Sequence, residues 1–254
     1  ERFQSLGLLT ARRKSPQPGA QDWTLSGSVT VNQIGDHPSL QLFFDPDSSS
    51  LRPGTDYLPI LDSPSVNVTA PIVFVGYGIS DPAHGLDEYE HLDVRNRIVL
   101  FLRGKPDKYA APVTHADKER VAREKGAVAF LTATGPVLNA YEARRGVSSQ
   151  PMALYSQSEG ERPLPGVWIS TELAKRILAV EEHSLLEVQE QLNRARPRSF
   201  STGVLAHLAW DSQQEPGMLH NVLGLIPGQD AGHGTETLIV GAHRDHFGRQ
   251  AGLL

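Results

Sequence analysis

Apolar and polar positions in the first third of the chain predict short strands separated by turns. From Ser26 to Ile79, runs rich in Val, Ile, Phe and Thr alternate with turn clusters such as Arg52–Thr55, a pattern typical of strands joined by turns. The apolar run Pro71–Val75 predicts a buried strand, and Gly76-Tyr77-Gly78 predicts a bend after it that glycine permits. A short helix near Phe3 and a loop over residues 11–22 are expected before this region.

The middle of the chain predicts a β-α-β unit. Arg97–Leu102 and Ala127–Leu131 are compact apolar runs typical of buried strands, and His115–Lys125 between them has a helical pattern. Gly126 fits the position just past a helix, where a positive φ is accessible without a Cβ. We therefore expect two parallel strands joined by a right-handed crossover.

Two more helices are predicted further along. Gly166–Ile169 predicts a strand, and a helix follows from Thr171 with its apolar residues at helical spacing. Ser184 and Glu187 have the spacing of a capping box, which predicts a second helix with one apolar face. The apolar positions of the two helices are Leu173, Ile177, Leu178, Leu185, Val188 and Leu192.

The last fifth of the chain returns to strand-like patterns. Val204–Trp210 and Asn221–Ile226 predict strands on either side of a polar turn. Thr237–Val240 is a continuous apolar run, which is typical of a strand buried on both faces of a parallel or mixed sheet. Together with the β-α-β unit, these elements place the chain in the α/β class.

Composition narrows the possible functions. The 254 residues are 39% hydrophobic and have a formal net charge of -5, so the chain can bury a sizeable core, and no nucleic-acid partner is expected. No stretch approaches the roughly 18 to 20 consecutive apolar residues that span a bilayer, so no membrane span is predicted in this sequence. The chain has no cysteine, which leaves His, Asp and Glu as ligands for a transition metal.

The strongest chemical signal is His243 with Asp245, directly after the predicted strand Thr237–Val240. Open α/β sheets bind ligands beyond the carboxyl ends of their strands. In an extended segment residues two apart point the same way, so Asp245 can fix the tautomer of a zinc-binding His243 imidazole. Alone, His-x-Asp is a weak signal that also fits a surface or capping pair. We interpret His246 as a packing or hydrogen-bonding residue.

Several segments together resemble the co-catalytic zinc peptidases, a family that includes bacterial leucyl-type aminopeptidases, glutamate carboxypeptidase and the non-catalytic transferrin receptor. The entry to the metal site in that family is matched by His220–Gly228, Thr237–Val240 and Gly241–His246. The protease-associated (PA) domain that often precedes it is matched by Val73–Ile79, Asp87–Tyr89, Leu92–Val99 and Ala122–Leu131.

The resemblance implies a domain organisation. A β-rich α/β PA domain is expected over residues 27–200, followed over residues 201–254 by the first strands of a mixed-sheet zinc-peptidase domain. Residues 1–26 are expected to be the leading segment of that peptidase domain.

The resemblance also implies a metal site. His243 matches the ligand of one zinc ion, and Asp245 matches the catalytic carboxylate that supports it. In this family two zinc ions share a water molecule, and the remaining ligands and a Glu general base follow later in the chain. No Asp or Glu lies between Phe247 and Leu254, so we expect the sequence to be a fragment that ends before those residues. As it stands, the fragment is expected neither to bind zinc tightly nor to be active.

The function implied is a zinc-dependent exopeptidase, specifically an aminopeptidase that removes N-terminal residues from a peptide substrate outside the cytoplasm. The PA domain is expected to restrict access to the cleft. Two alternatives remain open: a receptor-like homologue that has lost its metals, against which the presence of His243 and Asp245 argues, and a stand-alone PA module for protein interaction.

Overall fold

The computed structural model describes seven stretches of the chain: residues 2–10, 23–43, 48–138, 149–151, 163–194, 196–228 and 238–242. The chain divides into a small unit of residues 1–31 and 214–246 and a large unit of residues 32–213 and 247–254. No helix of the described residues is long and apolar enough to cross a membrane. The domain boundaries at residues 26 and 200 stay predictions.

The chain contains both strands and helices, which places it in the α/β class as expected. In chain order the elements are α1 (Arg2–Ser5), β1 (Leu9–Thr10), β2 (Thr24–Ile34), β3 (Ser39–Phe43), β4 (Ser48–Ser50), β5 (Tyr57–Pro59), β6 (Val66–Val75), β7 (Ser80–Asp81), a 3-10 turn (Pro82–His84), β8 (Leu86–Asp87), β9 (Ile98–Leu102), α2 (His115–Glu124), β10 (Ala129–Ala133), β11 (Gly166–Ile169), α3 (Thr171–Ala179), α4 (Leu185–Asn193), β12 (Ser199–Trp210), β13 (Ser212–Val222) and β14 (Gly224–Leu225).

The large unit is built on a mixed eight-stranded sheet with the order β4-β3-β12-β6-β9-β10-β11-β5. Strands β6, β9, β10 and β11 run parallel to one another. The strands on either side of this parallel group are antiparallel to their neighbours. The parallel group therefore has all its carboxyl ends at one edge of the sheet.

The predicted β-α-β unit is confirmed, with β9 and β10 parallel and α2 between them. Thr114 begins the helix with a capping box, because its hydroxyl accepts a bond from the Asp117 amide while the Asp117 side chain accepts one from the Thr114 amide. Gly126 has the expected positive φ, +89°. Strand β10 begins two residues later than predicted because the Ala127 amide still bonds Ala122 at the end of the helix.

The helices α3 and α4 are also confirmed, and their predicted apolar positions are buried. Ser170 caps α3 by accepting a bond from the Leu173 amide. Ser184 caps α4 in the same way, accepting from the Glu187 amide at 3.4 Å, which is one half of the predicted capping box.

Two hydrophobic clusters form the core of the large unit, and successive residues of β9 contribute to them in turn. Ile98, Leu100 and Leu102 join the cluster that contains α3 and α4. Val99 and Phe101 join the cluster that contains Ala122 of α2. Since successive side chains of a strand point to opposite faces, the sheet is covered on both faces, which explains the uninterrupted apolar run of β9.

The described residues of the small unit form two-stranded ladders. Strand β1 pairs with β14, placing Leu9 opposite Leu225, and β2 pairs with β13. Phe3 of α1 packs edge-on against Trp23 at a centroid distance of 5.8 Å. The strand predicted over Val204–Trp210 is confirmed as part of β12. The strand predicted over Asn221–Ile226 is divided between the end of β13 and β14, and the polar turn predicted before it belongs to β13.

One strand prediction is wrong. Thr237–Val240 was expected to be a strand buried on both faces, yet Leu238, Ile239 and Val240 lie outside any strand and are 90%, 86% and 89% exposed. A strand of that kind needs neighbouring strands and a packed layer on each face. The described residues of the small unit supply only two-stranded ladders, so nothing in them buries this apolar run.

Candidate functional site

The two residues predicted to form the metal site, His243 and Asp245, lie outside the residues that the structure describes, as does His246. Their roles therefore stay predictions. The segment just before them, Leu238–Ala242, is described and is exposed. Among the described residues, no group of three or more His, Asp and Glu side chains is placed to hold a metal ion.

A connected set of polar side chains lies at the carboxyl edge of the parallel strands. Strand β6 ends at Val75, and the next residues form a tight turn with Gly76 at φ +57° and Gly78 at φ +73°, which confirms the predicted bend. This edge is where open α/β sheets place their ligands.

The Gly76–Ile79 turn wraps around the carboxyl group of Glu88, which is only 1% exposed. The Tyr77 amide donates to both carboxyl oxygens at 3.0 Å, and the Ile79 amide donates to Oε2 at 2.9 Å. Burial raises the pKa of Glu88 to about 7, and the backbone amides and Lys118 partly oppose that shift. A Cβ on Gly76 would lie 2.0 Å from Glu88 Oε1, so only glycine allows this approach.

Lys118 is the cation whose charge lowers the pKa of Glu88 and so partly opposes the effect of burial. It comes from α2, is 3% exposed, and its Nζ donates to the carbonyls of Leu102 and Gly104 at 2.7 and 2.5 Å. Its Nζ also lies 5.5 Å from the Tyr77 ring centroid, within the range of a cation–π interaction. Lys118 thus ties α2 to the carboxyl end of β9.

Tyr77 and Gln189 extend the polar set toward the segment that follows β10. The Tyr77 hydroxyl donates to Asn193 Oδ1 at 2.7 Å and accepts from Gln189 Nε2 at 3.2 Å. Gln189 also accepts from the Val137 amide at 2.8 Å and donates to the Val137 carbonyl at 2.9 Å. Burial raises the pKa of Tyr77 to about 12, so its hydroxyl stays protonated at neutral pH and serves as a link between elements.

A second polar group joins Asp81, His84 and Tyr109. His84 Nδ1 lies 2.7 Å from Asp81 Oδ2, and the Tyr109 hydroxyl donates to the same oxygen. The Tyr109 hydrogen bond is the main cause that lowers the pKa of Asp81, and desolvation is the main cause that raises the pKa of Tyr109 to about 12. This arrangement fastens the segment around Tyr109 to β7.

His115, the first residue of α2, is half-buried with its ring Nε2 shielded from solvent, on the opposite face of the sheet from α3 and α4. Its ring packs against Phe101 and Phe130 at centroid distances of 5.4 and 5.3 Å. Burial, with Lys118 and Arg103 nearby, lowers its pKa to about 3. His115 is therefore neutral at physiological pH and packs beside the core cluster that contains Phe101 and Phe130.

Sequence patterns did not single out Glu88, Lys118 or Gln189 as members of a polar cluster. Charged and amide side chains are mostly exposed, and their burial here depends on contacts between α2, α4 and the turn after β6. The one available signal was Gly76-Tyr77-Gly78, whose glycines indicated a tight turn without indicating what it encloses.

No family model matches the sequence, and no curated protein matches it. Among solved structures, the chain is similar to the aminopeptidase from Aneurinibacillus sp. strain AM-1, with 15% sequence identity and a TM-score of 0.51 over 91% of this chain and 41% of that chain. It therefore spans about two fifths of the length of that enzyme.

Two structures of BSAP, a zinc aminopeptidase from Bacillus subtilis, also match. One has 15% identity and a TM-score of 0.39 over 81% of this chain and 38% of that chain. The other has 13% identity and a TM-score of 0.38 over 85% and 37%. At 15% identity, the likeness to the Aneurinibacillus aminopeptidase concerns the fold alone.

Proposed function

We propose that this chain belongs to a zinc-dependent exopeptidase, an aminopeptidase that removes N-terminal residues from peptides. The observation that supports it most is the fold likeness to the Aneurinibacillus aminopeptidase, which extends over 91% of this chain. The segment Gly241–His246 supports it independently, because its histidine and carboxylate have the spacing expected of a zinc ligand and its partner.

The proposed zinc ligand is His243, with Asp245 holding its imidazole. The donor chemistry fits zinc, since imidazole and carboxylate are zinc ligands and the chain has no cysteine to offer a thiolate. When bound, zinc lowers the pKa of its water ligand and polarises a carbonyl group. Zinc takes about four ligands, so the proposal requires further donors besides His243.

The proposed PA domain is assigned to residues 27–200, most of which belong to the large unit. Its mixed sheet, covered by α2 on one face and by α3 and α4 on the other, supports an independent folding unit. On this proposal the domain restricts which peptides reach the cleft, and the protein acts outside the cytoplasm.

The test is an exopeptidase assay on the protein produced from its natural reading frame. We expect release of p-nitroaniline from amino-acid p-nitroanilides with a free amino group, and none from their N-acetylated forms. His243→Ala should remove most of the activity because it removes a proposed zinc ligand, whereas His246→Ala, the matched control, should retain activity.

Three results would contradict the proposal. These are full activity in His243→Ala, cleavage of the N-acetylated substrates, and the absence of hydrolysis in a folded wild-type protein supplied with zinc. The last result would instead favour the receptor-like alternative.

A further inference from the structure

Several buried polar atoms without a partner lie on the face of the sheet that α2 covers. Thr132 of β10 is 0% exposed and Trp168 of β11 is 2% exposed. The Thr132 hydroxyl and the Trp168 indole N–H have no hydrogen-bond partner among the described residues, and neither has Nε2 of His115. Burying a polar atom without a partner costs folding free energy. Three such atoms on one face indicate a common partner.

The pairing of the strands places these residues side by side. Thr132 lies opposite Phe101 of β9 on one side and opposite Trp168 on the other. Phe101 and Trp168 belong to the core cluster on the α2 face. Because paired residues of neighbouring strands point to the same face of a sheet, the Thr132 side chain lies between these two rings. The His115 ring packs on Phe101 at a centroid distance of 5.4 Å, which places the imidazole over the same row of residues.

The Arg103 side chain extends across this row. Its amide donates to the Ala133 carbonyl at the end of β10 at 2.9 Å. Its guanidinium carbon lies 4.5 Å from the centroid of the Trp168 ring, within the range of a cation–π interaction. The side chain therefore reaches from the end of β9 across β10 to β11. Because Arg103 is half-buried rather than enclosed, solvent reaches the row at this residue.

Two cations lie near the row. Burial is the main cause that lowers the pKa of His115, and the charges of Lys118 and Arg103 lower it further. A charge has this effect only at short distance, so both cations lie close to the imidazole. Lys118 is held at the carboxyl end of β9 by the Leu102 and Gly104 carbonyls.

The acidic side chains of α2 have partners of their own. Asp117 Oδ2 accepts from the amide and the hydroxyl of Thr114. Glu119 Oε1 accepts from the Leu164 amide at 2.7 Å, before β11 begins. Glu119 Oε2 has no hydrogen-bond partner among the described residues. Apart from that one oxygen, the carboxylates of these two residues are bound away from the row.

We propose that Arg103, Thr132, Trp168 and His115 form a site that binds the carboxylate group of a small organic acid. Guanidinium and indole groups only donate hydrogen bonds, and a hydroxyl or a neutral imidazole can donate one. The partner that suits all four is therefore an acceptor. A carboxylate suits a guanidinium best, because its two oxygens match the fork of N–H donors and the bonds are charge-assisted. The site does not involve His243, so it is independent of the proposed peptidase activity.

The test is NMR observation of the indole N–H groups of the 254-residue chain during titration with sodium acetate. Trp168→Phe assigns the Trp168 signal. The Trp210 indole, which already donates to the Pro64 carbonyl at 3.0 Å, is the internal reference. Acetate should shift the Trp168 signal with half-saturation at about 1 to 10 mM, which suits a ligand of so few atoms. Sodium chloride and the uncharged acetamide should leave the signal unchanged.

Arg103→Gln should weaken acetate binding at least about tenfold, because it removes the charge-assisted bonds. Lys175→Gln is the matched control, since it removes a positive charge from α3, on the other face of the sheet, and should bind acetate like the wild type. Thr132→Val keeps the shape of the side chain and removes only the hydroxyl. It should weaken binding about threefold to tenfold, and it provides a test that does not depend on the folding of the Arg103 variant.

The proposal would be overturned by an equal shift with chloride or acetamide, or by a shift at Trp210 as large as that at Trp168. Acetate binding as tight as in the wild type by either Arg103→Gln or Thr132→Val would also overturn it. No response to acetate would mean that water, shared with the Glu119 carboxyl group, satisfies the indole, and this result would overturn the proposal as well.

Discussion

Gly166 of β11 lies directly opposite Phe130 of β10 in the parallel ladder, and a Cβ on Gly166 would lie 2.0 Å from Phe130 Cζ. The Phe130 ring is fully buried and stacks on Phe101 at a centroid distance of 5.4 Å. The strand therefore passes the ring at a distance that no side chain permits, which fixes glycine at position 166.

Replacing Gly166 with Ala should lower the free energy of unfolding by at least about 2 kcal/mol, because the added methyl group overpacks a core that is covered on both faces. Urea unfolding followed by circular dichroism measures the change. Gly27→Ala is the matched control, since a Cβ there would meet nothing within 4 Å. Equal stabilities for the two variants would show that the Phe130 ring moves aside freely.

Replacing Gln189 with Leu should destabilise the large unit by about 2 to 4 kcal/mol, because the Val137 amide and carbonyl and the Tyr77 hydroxyl each lose a partner. Urea unfolding followed by circular dichroism measures this change as well. Glu190→Ala, on the exposed side of the same helix, should have little effect. A Gln189→Leu variant as stable as the wild type would mean that water replaces the lost bonds.

His115 should make the protein less stable in acid. Its pKa is lowered from 6.5 to about 3 in the folded chain, so below pH 6.5 the unfolded chain binds a proton that the folded chain does not. The contribution of the neutral His115 side chain to the free energy of unfolding is present above pH 6.5 and is lost as the pH falls toward 3.

His115→Phe should remove this loss of folding stability in acid, which is on the order of 2 to 3 kcal/mol between pH 7 and pH 4. A Phe side chain suits the position, since the ring already packs against two phenylalanines. His91→Gln is the control because the His91 side chain is 88% exposed. A stability difference between pH 7 and pH 4 that is the same in His115→Phe and the wild type would contradict a neutral, buried imidazole.

The elements that were predicted correctly are those that a local sequence pattern is sufficient to identify. The apolar run of β9, the helical spacing in α3 and α4 and the glycine at 126 each identify an element through local chemistry. The start of β10 was displaced because the bond from Ala127 to Ala122 belongs to the end of the helix. The strand prediction for Thr237–Val240 is wrong because apolar character predicts burial only where other strands supply neighbours.

Sequence patterns predicted the metal site but not the polar cluster around Glu88. The enclosure of Glu88 depends on Gly76, Lys118 and Leu192, which are far apart in the chain and have no common motif. His243 and Asp245 were predicted from a local spacing and a family resemblance. They lie outside the described residues, so their roles remain to be measured.

The most direct test of the proposed function is the zinc content of the protein produced from its natural reading frame, measured by plasma emission spectroscopy after dialysis against metal-free buffer. We expect about two zinc ions per wild-type chain, a clear loss of zinc in His243→Gln, and retention in the matched control His246→Gln. A wild-type protein that is folded and free of zinc, or a His243→Gln variant that keeps its full zinc content, would contradict the proposal.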